Sequence, residues 1–175
     1  RCGTYIGTGL GCITSTFQNY IPHLLGKLPS MSKSNSAIDF ELSNEMDDIL
    51  REHPRVLPIA ATKCMANSIS SLLSLRFALR GGNETTIAAC AAGSMAVARA
   101  YEQISTGRVD FAIAGGTEYY GDSSGAIFMA FDRLNALAKP GRSDFAINRP
   151  FDAERSGFLF SQGGACILTL ENMAF

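Results

Sequence analysis

The chain has 175 residues, 46% of them hydrophobic and 18% charged, a balance that suits a globular α/β-sized core and excludes a disordered polyelectrolyte. Fifteen Lys and Arg offset sixteen Asp and Glu for a formal charge of −1, and the basic residues are scattered, which argues against a nucleic acid or an anionic membrane surface as partner. No apolar run approaches the ~20 residues of a membrane span, and the start at Arg1 shows no signal-peptide core, so a cytoplasmic setting is expected.

In chain order, Thr4–Gly11 reads as a short strand that breaks into a Gly-rich turn. That turn fails the dinucleotide fingerprint, because the third glycine would fall on Cys12. Pro29–Ser36 is loop by composition, and Asp39–Arg51 has the pattern of an exposed amphipathic helix, its Asp47 and Asp48 forming a wet face. The run from Cys64 to Leu79 predicts a largely buried helix stopped by Gly81, Gly82 and Asn83.

Thr85–Ala89 is short and rich in β-branched residues, so it predicts a strand, which runs directly into Cys90 and a helix to about Thr106. Val97, Tyr101 and Ile104 mark that helix's inner face, and Gly107 its cap. Val109–Ala114 predicts a second buried strand, ended by Gly115-Gly116-Thr117-Glu118. Ser123–Leu137 reads as helix and Lys139–Arg155 as a long loop. Gly157–Leu170 reads as two strands around Ser161–Gly164. Strands alternate with helices, which predicts an α/β protein with a mixed or parallel sheet.

Five cysteines without a CxxC spacing read as buried free thiols of a reducing compartment, and His23 and His53 lack ligand spacing, so neither a metal nor another cofactor is expected. Cys90 is the foremost candidate for chemistry. A thiol at a strand-to-helix junction meets orphan N–H groups and the positive end of the helix macrodipole, and Ala91-Ala92-Gly93-Ser94 leaves its approach open. The alternative is one more small buried residue. Gly121-Asp122-Ser123-Ser124-Gly125 matches a serine-hydrolase elbow, but both histidines precede Ser123, against the order such enzymes use. Asp152, Glu154 and Arg155 offer an acid–base cluster, but charges in a loop before a strand are usually structural or solvated. Glu118, after an apolar strand, serves either to hold a loop or to transfer a proton.

Three blocks in order resemble the β-ketoacyl-acyl carrier protein synthases of the thiolase superfamily: Thr86–Ser94 around Cys90; Asp110–Glu118, a strand ending Ala-Gly-Gly-x-Glu; and Arg149–Phe158, which matches Arg-Pro-Phe-Asp-x-x-Arg-x-Gly-Phe and is followed by Gly163-Gly164-Ala165 and Leu168–Glu171. The resemblance implies a layered α-β-α-β-α thiolase-like fold, of which residues 1–175 would be part of the N-terminal half, with the family's first strands and entire C-terminal half absent. It also implies that Cys90 accepts an acyl group from an acyl carrier protein and that decarboxylation of a malonyl thioester supplies the attacking carbanion. Cys90's own N–H would then form half of an oxyanion hole. Leu10 falls where the family lines its acyl pocket. Asn67 matches an Asn near the dimer interface, and both are expected to be substrate-binding. Thr85–Ala88 matches the strand that pairs antiparallel across the family's two-fold, in a homodimer or ketosynthase heterodimer. The family's two catalytic histidines and its lysine lie in motifs that do not occur here. Ser156 and Ser161-Gln162 depart from its pattern and point to a divergent branch. A non-catalytic subunit that sets chain length and a starter-unit ketosynthase or thiolase remain as alternatives.

Overall fold

A computed structural model describes residues 1–14, 59–121, 125–139 and 147–173. The predicted helix over Asp39–Arg51, the loop Pro29–Ser36, both histidines and Ser123 lie outside the described residues. Two compact units emerge, one of Arg1–Glu118 with Ala165–Phe175, the other of Tyr119–Gly164.

The first unit is built on strand β1 (Cys2–Thr8), which pairs in parallel on one side with β2 (Asn83–Ile87) and on the other with β3 (Phe111–Tyr119). The fourth strand, β4 (Gly163–Glu171), completes the order β2-β1-β3-β4. Asn172 N donates to Asp110 O, and Gly115 lies against Cys166 and Ile167, a register that runs β4 antiparallel to β3. The sheet is therefore mixed. The alternation of β1 feeds both faces: Tyr5 joins a core of Ala96, Ala100, Ile104, Val109, Ala112 and Ala114, while Thr4 meets Ser74 on the other face.

Two helices lie between β1 and β2 in the chain, α1 (Ala60–Cys64) and α2 (Ser68–Arg76). The sequence pattern predicts one largely buried helix here, and the structure corrects this in two respects. The backbone becomes extended at Met65 (ψ 129°) and splits the helix. The face of α2 laid on the sheet is hydroxylic: Ser70 Oγ lies 2.7 Å from Thr85 Oγ1, Ser74 Oγ donates to Thr4 Oγ1 at 3.0 Å, and Asn83 Nδ2 donates to Ser74 Oγ at 2.9 Å. Leu72 and Leu75 consequently point outward, 64% and 78% exposed.

On the opposite face lies α3 (Ala92–Ser105), the longest helix among the described residues. Its buried stripe is Ala92, Ala96 and Ala100, four residues apart, with Gln103 and Ile104. The periodicity of larger side chains misplaces this face: Ile104 is buried and Val97 only partly so, but Tyr101 points outward. Three alanines form a thin surface, so the helix axis comes close to the strands. Gly107 (φ +68°) ends the helix, its N–H donating to Ile104 O and that of Arg108 to Gln103 O, a left-handed cap that favours glycine.

The second unit contains α4 (Ala126–Arg133), shorter than the helix predicted over Ser123–Leu137. Its interior is aromatic. Phe131 meets Phe158 and Phe128 meets Phe160 edge-on at 5.4 Å between centroids, and Tyr120 stacks on Phe160. The predicted strand pair in Gly157–Leu170 is a single strand, β4, preceded by one isolated bridge between Leu137 and Phe158. The loop charges bind their own loop: Arg149 Nη2 donates to Glu154 O, Arg155 Nη1 to Asp152 O, and Glu154 N to Asp152 Oδ1. No helix of the described residues is long and apolar enough to cross a membrane.

Candidate active site

Parallel pairing sets the location of the site. Thr8 pairs with Ile87 and Gly7 with both Thr86 and Gly116, so β1, β2 and β3 all deliver their C-terminal ends to one edge of the sheet. At that edge stand the Gly-rich turn after β1, Cys90 after β2, and Glu118, the second-last residue of β3. This edge is where open parallel sheets present ligand-binding residues, since helix N-termini and connecting loops converge there.

Between Ile87 and α3 the chain turns sharply. Ala88 is at φ −153°, ψ 40°, and Ala89 takes a left-handed φ of +47° before a single 3-10 turn, Ala89–Ala91, leads into α3. An alanine at positive φ costs about 1–2 kcal/mol, so the surrounding packing must hold it there. The result is that Cys90 stands exposed at the head of a 14-residue helix, with only alanines beside it. The expectation of buried thiols is thus corrected. Cys90 and Cys166 are exposed, Cys2, Cys12 and Cys64 are half-buried, and none of the five is in a disulfide.

Glycines fix the height of the turn into α3. A Cβ on Gly7 would come 2.2 Å from Ala92 O, and Gly93 and Gly116 approach each other so closely that a Cβ on Gly116 would lie 3.1 Å from Gly93 Cα. Helix α3 therefore rests on β1 and β3 backbone to backbone at its first turn, and the position of Cys90 is set by main chain rather than by side chains.

Glu118 has the loop-holding role of the two considered from sequence. Its carboxylate accepts from the N–H groups of Gly9 and Leu10, the latter at 3.1 Å, and lies 3.3 Å from Thr8 Oγ1. Thr8 Oγ1 in turn accepts from Gly11 N at 3.0 Å. The carboxylate thus replaces the hydrogen bonds the turn's backbone lacks. Leu10 sits at the outermost point of this turn, 44% exposed. Beside it runs the corner between α1 and α2. A Cβ on Gly11 would lie 3.3 Å from Ala66 Cβ, and Cys12 Sγ lies 3.3 Å from Met65 O. Asn67, the next residue, begins α2, and its carbonyl accepts from Ser71 N and Ser70 Oγ. Its side chain makes no cap hydrogen bond and the residue is exposed. Cys90, Leu10 and Asn67 therefore belong to segments gathered at one edge of the sheet. The Glu118 brace and the left-handed Ala89 are additions from the structure. The brace left a trace in the sequence, an acidic residue ending an apolar strand, whereas the Ala89 conformation left none.

Among the described residues no group of three His, Cys, Asp or Glu could hold a metal ion.

Residues 2–174 match the family described as Beta-ketoacyl synthase, N-terminal domain, and the chain belongs to that family. It is 35% identical over 130 residues to the 3-oxoacyl-[acyl-carrier-protein] synthase 2 of Mycobacterium tuberculosis (strain ATCC 25618 / H37Rv), covering 73% of this chain and 31% of the relative. It is 32% identical over 115 residues to the 3-oxoacyl-[acyl-carrier-protein] synthase 1 of Escherichia coli (strain K12), covering 65% and 28%. The chain thus spans about a third of the length of these relatives. Among solved structures, a beta-ketoacyl synthase from Burkholderia phymatum STM815 superposes with a TM-score of 0.60 at 29% identity, over 99% of this chain and 36% of that one. A chain of a type II polyketide synthase complex, in which an acyl-carrier protein meets its ketosynthase bound to the hexaketide, gives 0.71 at 22% identity, over 99% and 37%. It shares the fold. The α/β, thiolase-like fold read from the sequence is the fold of these neighbours.

Proposed function

We propose that this chain supplies the acyl-accepting part of a β-ketoacyl synthase of fatty acid or polyketide assembly, as a partial N-terminal ketosynthase domain over residues 1–175. The observation that carries the proposal is the exposed Cys90 at the left-handed corner into α3, on the edge where the Leu10 turn and the Asn67 corner also converge. Cys90 Sγ attacks the carbonyl carbon of an acyl thioester on an acyl carrier protein. The oxyanion that forms accepts from N–H groups at the helix head, Cys90's own among them, and the carrier's thiolate leaves as the acyl-Cys90 thioester forms. Leu10 and Asn67 flank the acyl chain.

In the second half-reaction a malonyl thioester loses carbon dioxide, and its carbanion attacks the acyl carbonyl and releases Cys90. That step needs positioned proton donors near the malonyl group. The family's histidine and lysine motifs do not occur in these 175 residues, so the chain by itself is expected to load acyl groups without condensing them. Pairing along β2 would form the homodimer or heterodimer. Five cysteines outside disulfides suit the cytoplasm.

The test is the intact mass of the protein after incubation with an acyl-carrier-protein thioester. We expect one acyl adduct that hydroxylamine removes and that Cys90→Ala abolishes without loss of the cooperative unfolding transition. An adduct that persists in the Cys90→Ala variant removes Cys90 from the mechanism. A folded wild-type protein with no adduct favours the non-catalytic chain-length subunit instead.

A further inference from the structure

Cys12 and Cys64 are not used by the condensation chemistry, yet the fold brings their segments together at the same edge of the sheet. Cys64 is the last residue of α1, and the chain leaves it extended through Met65. Cys12 follows the Gly-rich turn, and its Sγ lies 3.3 Å from the carbonyl oxygen of Met65, the residue directly after Cys64. Gly11 approaches Ala66 at the same place, so contacts on both sides of the thiols hold the two segments together. Both residues are half-buried.

We propose that Cys12 and Cys64 are a redox-sensitive dithiol, which a hydroperoxide converts to a disulfide that fixes the Gly-rich turn to the α1–α2 corner. Gly11, at φ +68°, is the joint about which the turn closes the remaining distance. The roles of the two sulfurs follow from their surroundings. Burial first, then its neighbours Cys64 and Glu118, push the Cys12 thiol up, which suits Cys12 to the resolving role and leaves the attacking role to Cys64. The Cys64 thiolate attacks one peroxide oxygen and the O–O bond breaks. The departing alkoxide takes up a proton, leaving a sulfenic acid and an alcohol, or water when the oxidant is hydrogen peroxide. Cys12 sulfur then displaces hydroxide from the sulfenic sulfur, and its thiol proton leaves with the hydroxide as water. Two thiols give up two electrons, the peroxide accepts them, and a cellular thiol pair reverses the step.

The formation of this bond does not depend on the role proposed for Cys90, and the readout is chosen accordingly. The folded protein is treated with a small excess of hydrogen peroxide, quenched, denatured and titrated with a thiol reagent. Wild type is expected to fall from five titratable thiols to three, Cys64→Ser to keep its four, and Cys12→Ser to lose only the Cys64 thiol, as an unlinked sulfenic acid that dimedone traps. Trypsin cuts after Lys63, so Cys64 opens its own peptide. That peptide should be found joined to the Cys2–Lys27 peptide, with fragmentation placing the link at Cys12. Urea-unfolded protein under the same oxidant should lose this pairing preference. Retention of five thiols, a link through Cys2, Cys90 or Cys166, or Cys64 carried to sulfinic acid with no link would each overturn the proposal.

Discussion

Single residues here hold conformations or protonation states that the rest of the molecule enforces. Ala89 turns the chain at φ +47° directly before Cys90, a region that a β-branched side chain enters only at high cost. Ala89→Val is therefore expected to lose about 1–3 kcal/mol in urea unfolding and to slow iodoacetamide modification of Cys90, whereas Ala89→Gly leaves both close to wild type. Tyr5 presents the opposite problem. Its ring is buried between Gly3 and Gly82, where an added Cβ would come within 2.6 Å of it, and its hydroxyl finds no hydrogen-bond partner among the described residues. Burial, then Glu84, push the Tyr5 hydroxyl up against the opposing pull of Arg99 and Arg108, and burial pushes the Cys12 thiol up as well. For both groups folding favours the protonated form. Their contribution to stability is thus complete below the ordinary cysteine and tyrosine range and is lost as pH rises through the raised folded values. Urea midpoints should fall as pH is raised from about 8 to about 11. Tyr5→Phe should flatten that fall and match or exceed wild-type stability at neutral pH, since it removes a buried hydroxyl that must give up water to fold. A steeper alkaline loss in Tyr5→Phe would refute the assignment.

Among the elements, the contact of α3 with β1 and β3 decides where Cys90 stands. Gly7→Ala would drive a methyl group into the main chain at Ala92, with no flexible side chain to yield. We expect a loss of at least about 2–3 kcal/mol and a changed Cys90 alkylation rate, measured on protein shown by circular dichroism to keep its helices. A wild-type rate and midpoint in that variant would mean that the helix is free to slide. The legibility of the elements divides along the same physical line. The β1 strand and its Gly-rich turn, the strand before Cys90, the helix after it and the cap at Gly107 were readable, because local chemistry decides them: β-branched runs, glycine at positive φ, and small residues at a junction. What could not be read depended on surfaces far apart in sequence. Val109–Ala114 was legible as a strand but not its extension through Gly115–Glu118, because glycines end strands in isolation and continue them where another backbone must pass close by. The inner face of α3 was misassigned because alanines carry little hydrophobic signal, although with the glycines at its first turn they let the helix approach. The inner face of α2 was missed for a related reason, since serine and threonine hydroxyls pair across to the sheet where leucines were expected. At the site, Cys90 was legible from its junction, while the left-handed residue behind it was not.

For the molecule as a whole, a family match over residues 2–174 coincides with a span of only about a third of the relatives' length. Apolar side chains also stand on the surface of the first unit: Leu72, Leu75, Phe77, Ile167 and Leu168 among them, with Ile87 on the edge strand β2, 61% exposed. Edge strands with uncovered apolar residues recruit another strand. The chain is therefore expected to associate as concentration rises, and Ile87→Lys to shift it toward monomer in light scattering after size exclusion. Identical concentration dependence in the two proteins would place the contact elsewhere. The backbone seam formed by Gly7, Gly93 and Gly116 has a consequence for how such a protein diverges. Because main chain sets the sulfur's position, the side chains of the neighbouring turn are mechanically uncoupled from it. Leu10 projects from a turn braced through its amide rather than its side chain. Descendants, or a mutant library, can therefore change the group at position 10 while the place of Cys90 stays undisturbed. In evolutionary terms, the turn is free to vary at this edge of the sheet and the place of Cys90 is held constant, provided the three glycines are left alone.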